Sequence, residues 1–99
     1  MSTKIEVDSL GLPVTARQLS SGGTSTNVAL TVGIARISIY ARSADIRYSV
    51  GAVAQTATSS SHYIAQGERL DINVPPQSPN IAVIQASGVA GTLEITELG

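Results

Sequence analysis

The sequence predicts an all-β fold, a small antiparallel β-sandwich of about eight short strands with no long helix. Three observations point there. The first is alternation. In residues 34–50, IARISIYARSADIRYSV, Ala35, Ile37, Ile39 and Ala41 fall on one side and Arg36, Ser38, Tyr40 and Arg42 on the other. After Ser43 the pattern resumes, with Ala44, Ile46, Tyr48 and Val50 set against Asp45, Arg47 and Ser49. A period of two belongs to a strand with one face in a core and the other in water or against a partner. These runs are expected to be a pair of central strands. The second observation is core material: there is no Phe, no Trp and a single Met, so Ile, Val, Leu and Ala must fill the interior. β-Branched side chains suit a pleated surface and lose freedom in helices. The third is punctuation, since Gly and Pro turns separate the apolar runs at fairly even spacing.

Taken in order, residues 4–8 read as a short strand with Ile5 and Val7 inward, and residues 1–10 as an N-terminal strand or arm. Gly11-Leu12-Pro13 breaks the pattern. Residues 14–19 form a second strand or lead into a loop. Residues 20–26, SSGGTST, are too polar and glycine-rich for a regular element and read as a loop tip. Residues 27–32 alternate, placing Val28, Leu30 and Val32 together, and Gly33 marks a bulge or bend before the central pair. Arg42-Ser43-Ala44-Asp45 connects that pair. Residues 51–61, GAVAQTATSSS, are weakly patterned and fit a long loop or an edge strand of small side chains. His62-Tyr63-Ile64-Ala65 precedes a turn at Gln66-Gly67-Glu68. Residues 69–74 form a clear strand, with Leu70, Ile72 and Val74 inward, and Pro75-Pro76 ends it because proline cannot donate to a ladder. Residues 80–86 are apolar on both faces, the mark of a central or doubly covered strand. Residues 92–98 close the chain with Leu93 and Ile95 inward and Thr92, Glu94 and Thr96 outward.

With 99 residues the chain is one domain, and it can bury roughly two thirds of its unfolded surface. Charged residues make up 13% of it and the net charge is −1, against about 25% charged in ordinary soluble domains. Such a surface repels weakly and suits packing beside other copies or other proteins. The arginines are scattered among seven acids and three tyrosines are few, so no nucleic-acid partner is expected. The absence of cysteine removes disulfide frameworks, thiolate metal ligands and cysteine nucleophiles. No signal peptide is visible in MSTKIEVDSL, and no apolar stretch approaches bilayer length, so no membrane partner is expected.

Chemistry-bearing patterns are weak. The segment HYIAQGERLDINVP resembles the rhythm of cupin barrels, with a histidine, a glycine turn and an apolar strand ending in proline. It supports a jelly-roll-like turn and strand. A cupin metal site needs several converging histidines and a carboxylate, whereas His62 is the sole histidine and Glu68 cannot complete a site alone. Ser59-Ser60-Ser61-His62 are neighbours in sequence, which does not make a triad. Glu94 and Glu97 read as solubilising residues rather than paired catalytic acids. Ser21-Gly22-Gly23-Thr24 lacks the lysine and helix of a phosphate loop. No catalytic, cofactor-binding or metal-ligating residue is assigned, and no enzyme activity is expected. Arg36, Tyr40 and Arg42 share one outward strand face. Arg and Tyr combine apolar area with hydrogen bonding and are favoured at interfaces, so these three are the candidate protein-contact residues; a solvated sheet face is the alternative.

From Ile37 onward, ISIYARSADIRYSVG, TATSSSHYIAQGERLDINVP and NIAVIQASGVAGTLEITEL resemble small virion structural proteins of tailed bacteriophages. Arg47-Tyr48-Ser49-Val50-Gly51, residues 62–75 and residues 91–98 are the most specific parts, and residues 1–32 match less. The resemblance implies a virion role, preferably a head decoration (cement) protein on the capsid surface, made in the host bacterial cytoplasm. It implies the major capsid protein or another virion protein as partner, and a homo-oligomer, with a trimer among the options. The N-terminal segment or the loop of residues 20–26 would add lattice contact to the Arg36–Arg42 face. A head–tail adaptor, a tail, spike or fibre component, and a surface carbohydrate-binding module are the alternatives.

Overall fold

The computed structural model describes residues 13–98. Eight strands occur in them: β1 (Pro13–Ser20), β2 (Thr26–Ala29), β3 (Arg36–Arg42), β4 (Ile46–Gly51), β5 (His62–Ile64), β6 (Arg69–Asn73), β7 (Asn80–Gln85) and β8 (Thr92–Leu98). The strand expected at residues 4–8 and the arm of residues 1–10 lie outside this range. Two four-stranded sheets form, ordered β1-β8-β3-β6 and β2-β7-β4-β5, with every pairing antiparallel. No helix occurs among the described residues. The expected small antiparallel sandwich of jelly-roll type is what the chain builds. All connections except β4–β5 carry the chain from one sheet to the other.

The alternating runs behave as their period requires. β3 is central in one sheet and β4 in the other, and the Arg42–Ile46 connection spans the two. Ile37, Ile39, Ile46, Ile64, Ile81, Val83, Leu93 and Ile95 are each at most 1% exposed. Each such side chain contributes about 1.5–3 kcal/mol by leaving water, and chain entropy opposes most of the sum. Ala35, expected inward, precedes β3 and is exposed.

Two expectations need correction. The strand read at residues 27–32 stops at Ala29. Leu30 still points inward, but Val32 is 71% exposed. The reason is a turn, closed by Ile34 N–H donating to the Thr31 carbonyl at 3.2 Å. Gly33 adopts φ 98° there, a left-handed conformation that glycine reaches without steric cost. The segment 20–26 is more than a polar tip, for Ser21 is buried and anchors it. Ser21 N–H donates to the Gly91 carbonyl at 2.8 Å and its Oγ accepts from Gly91 N–H at 2.8 Å.

Gly51 ends β4, and residues 52–61 form a loop, the first of the two readings offered for residues 51–61. Gln55 N–H donates to Asn27 Oδ1 at 2.9 Å, and Ala57 N–H to Ser25 Oγ at 2.8 Å. These bonds lay the loop across the outside of β2, β7 and β4. Ala82 points outward from β7 yet is 0% exposed. The doubly apolar strand is therefore central in its sheet and covered on both faces.

Candidate functional site

Arg36, Tyr40 and Arg42 share the outer face of β3, as alternation demands, and that face lies between β8 and β6. Register then supplies neighbours that a single strand cannot reveal. Tyr40 lies opposite Glu94 on one side and Arg69 on the other, and Glu94 lies opposite Gln18 of β1. The Arg69 guanidinium stands over the Tyr40 ring, 5.0 Å from its centroid, and Arg69 Nη1 donates to Ser38 Oγ at 3.4 Å. Arg42 Nε pairs with Glu94 Oε2 at 2.9 Å, while Gln18 Nε2 donates to Glu94 Oε1 at 3.0 Å. The Arg42 and Glu94 side chains are 56% and 32% exposed. Such pairs contribute about 0–1 kcal/mol each, so they hold side chains in place more than they stabilise the domain. Arg36 sits at the far end of the row, opposite Asn73 and Leu98, and among the described residues no carboxylate lies within ion-pair distance of it. Arg69 and Glu94 belong to this face although sequence reasoning did not include them. Their outward parity was readable, but the strand order that makes them neighbours was not.

His62 occupies a different place. It begins β5, opposite Tyr48, with ring centroids 5.4 Å apart and tilted by 37°. The two rings, with Val50, Ile72 and Asn73, line a pocket of about 250 Å³ where the sheets part between β5 and β6. Burial, aided by the negative charge of Glu68, pushes the Tyr48 hydroxyl above its usual range. Glu68 serves the turn before β6, its Oε1 accepting from Ala65 N–H at 2.9 Å. Among the described residues, no three His, Cys, Asp or Glu side chains gather as a metal site would need. Ser61 is spent on its own turn, its Oγ accepting from Thr58 N–H at 2.9 Å and its carbonyl from Arg47 Nη1 at 2.8 Å. The loop at Ser21-Gly22-Gly23-Thr24 leads into β2, not into a helix.

Glu94 and Glu97 face opposite sides of β8. Glu97 points inward and is 0% exposed, which corrects its solubilising assignment. Its Oε2 accepts from Arg17 Nε at 2.7 Å and from Thr31 N–H at 3.1 Å. Burial raises its pKa, but hydrogen bonds from Thr31 and Arg17 outweigh burial and hold it below the usual value. The pair pins β1 and the β2–β3 turn to β8 at the end of the sandwich where β1 begins.

No family model and no curated protein sequence matches the chain. Solved structures do. A de novo designed double-stranded beta-helix is similar with TM-score 0.58 and 17% identity, over 85% of this chain and 99% of that one. PirA gives 0.55 and 18%, over 83% and 92%. The Drosophila melanogaster CENP-C cupin domain gives 0.51 and 7%, over 83% of this chain and 59% of the other. At such identities the likeness is one of fold, and the fold of this chain is that of a double-stranded β-helix.

Proposed function

We propose that this protein is a non-enzymatic structural component of a tailed-bacteriophage virion, a head decoration (cement) protein that docks on the capsid surface and stabilises the shell. The observation that carries the proposal is the contrast between the two outer faces of the sandwich. One is roofed by the chain's own loop of residues 52–61. The other presents Arg36, Tyr40, Arg42 and Arg69 with no described segment laid across it. Guanidinium and phenol groups already held in pose lose little side-chain entropy on docking. The resemblance of residues 37–98 to small phage virion proteins adds support.

Size bears on how docking works. Four strands and the seven residues of β3 give a face roughly 19 Å by 24 Å, or about 450 Å² in projection. A standard interface takes about 800 Å² from each partner. Neighbouring copies engage the shell together, across subunit boundaries. Expansion pressure must then break every contact at once.

Quantifying the chain against the major capsid protein in purified particles tests the role. A copy number scaling with the capsid lattice is expected, while a number fixed by a single vertex would make it a head–tail adaptor. Absence from intact particles overturns the proposal. The combined variant Arg36→Ala, Tyr40→Ala, Arg42→Ala should fold normally and lose binding to expanded heads; retained binding rules out this face.

A further inference from the structure

β5 and β6 end the two sheets on one side of the sandwich, and the core stops between them in the pocket of Tyr48, Val50, His62, Ile72 and Asn73. Strand parity builds its walls. Tyr48 and Val50 of β4, His62 of β5 and Ile72 of β6 share the inward parity of Ile46 and Ile64. Ile46 and Ile64 lie opposite each other and are 0% exposed. At the next inward pair, Tyr48 and His62 set two flat rings 5.4 Å apart where branched aliphatic chains would interlock. Val50 and Ile72 pack against the core but are only partly buried. The volume left, about 250 Å³, exceeds the ~150 Å³ that holds a benzene and falls below the ~300 Å³ where drug-sized ligand sites begin. It admits a single ring with a small substituent.

We propose that this pocket binds a small neutral aromatic molecule carrying one hydroxyl or amide group, of which phenol is the simplest. Val50, Ile72 and the ring faces of Tyr48 and His62 supply apolar walls, while a hydroxyl, an imidazole and the Asn73 carboxamide supply hydrogen bonds. Charge excludes acids. Among the described residues, no Arg or Lys lines the pocket. The Arg47 guanidinium stands over the Tyr63 ring at 5.1 Å and that of Arg69 over the Tyr40 ring at 5.0 Å, so both are spent on the outer faces. The negative charge of Glu68 acts on the Tyr48 hydroxyl, so an anion in the pocket would meet repulsion and no counter-charge. Apolar walls exclude sugars, because a ring with hydroxyls around its whole rim would leave some of them unpaired against Val50 and Ile72. A flat ring with one polar group puts its face on those walls and its polar end toward Tyr48, His62 or Asn73. The site lies between the sheets and the Arg36–Arg42 face on the outside of one of them, so this binding stands apart from the docking role.

Titration of the full isotope-labelled chain with phenol, followed by amide NMR, tests this. Saturable shifts centred on Tyr48, Val50, His62, Ile72 and Asn73 are expected, with a dissociation constant of about 1 mM for so small a ligand. Benzoate, the same ring with a negative charge, should bind about tenfold more weakly, and methyl glucopyranoside should give no saturable shift. His62→Ala removes one wall and Val50→Phe fills the space, and each should weaken phenol about fivefold or more. His62 is exposed, so its replacement reports on the pocket even where Val50→Phe unfolds the domain, which thermal unfolding shows. Phenol shifts that stay linear, centre elsewhere or persist unchanged in His62→Ala overturn the proposal, as does benzoate or methyl glucopyranoside binding as tightly as phenol.

Discussion

Arg17→Met should destabilise the domain far more than a side chain 31% exposed would suggest. The cost falls on its partner. The Glu97 carboxylate is 0% exposed, with Arg17 Nε at 2.7 Å and Thr31 N–H at 3.1 Å on Oε2 and, among the described residues, no donor on Oε1. Without Arg17 a buried charge keeps little more than one backbone donor. Breaking a buried pair in this way costs about 3–5 kcal/mol, and partial access of water to Arg17 argues for the lower end. A loss of ~3 kcal/mol lowers the melting temperature of a domain this size by roughly 12–24 °C. Glu97→Gln keeps the shape and an acceptor, so it should cost only about 1–2 kcal/mol. Arg17→Met/Glu97→Leu removes both charges and should lie closer to the parent than Arg17→Met does.

The pH dependence separates these variants further. In the parent, the Glu97 pKa is held below the ordinary 4.5. The unfolded chain then binds the proton more readily, so this contribution is complete above pH 4.5 and lost as pH falls through the lowered folded value. In Arg17→Met burial dominates, the folded pKa rises, and acidification should shrink the gap to the parent. Urea and thermal unfolding followed by far-UV circular dichroism suit a chain without tryptophan. An Arg17→Met stability within 0.5 kcal/mol of the parent (about the spread of neutral surface changes), or an Arg17→Met/Glu97→Leu chain as damaged as Arg17→Met, would refute the reasoning.

Gly91→Ala should cost about 1–3 kcal/mol by overpacking, because a Cβ there meets Ala44 Cβ at 3.0 Å and the Arg42 carbonyl at 3.1 Å. Gly22→Ala, with nothing within 4 Å, is the near-neutral control, and thermal unfolding compares the two. The Asp45 carboxyl is held below 3.8 by the Gln66 N–H, which it accepts at 2.7 Å, and by the Tyr63 hydroxyl. Tyr63→Phe should move it back up toward 3.8 in a carboxyl NMR titration, and the acid-side loss of stability, which begins as pH falls below 3.8 in the parent, should lessen.

What the sequence disclosed follows from which interactions are local. Ile37, Ile39 and Ala41 alternate with Arg36, Ser38 and Tyr40 within a single strand, so their facing was readable without knowing the neighbours. The same parity places Glu97 beside Leu93 and Ile95, but a carboxylate on an inward position is expensive without a partner. That partner, Arg17, lies 80 residues away. Val32 failed for a different reason: the apolar alternation runs on past Ala29, while the Thr31–Ile34 turn overrides it. The covering of Ala82 by the 52–61 loop, and the meeting of Tyr40 with Arg69, depend on strand order, which no short window contains.

The two outer faces differ because of side-chain size, and that difference constrains what each can do. On β2, β7 and β4 the outward residues under the loop are Asn27, Ala82 and Ser49, small enough for backbone to lie flat against the sheet. Ser49 Oγ even donates to Gln55 Oε1 at 2.8 Å. On β3 and β6 the outward residues include Arg36, Tyr40, Arg42 and Arg69 beside Ser38, Asp71 and Asn73, and the guanidinium and phenol groups are too bulky and polar for a loop of the same chain to roof without stranding charges. Covering that face therefore takes a surface shaped for it, with acceptors placed for the guanidinium groups. None of these outward side chains packs into the core formed by Ile37, Ile39, Ile81 and Ile95. The outer face can change while the interior stays fixed, which is why a frame shared at 7–18% identity places no demand on a shared partner.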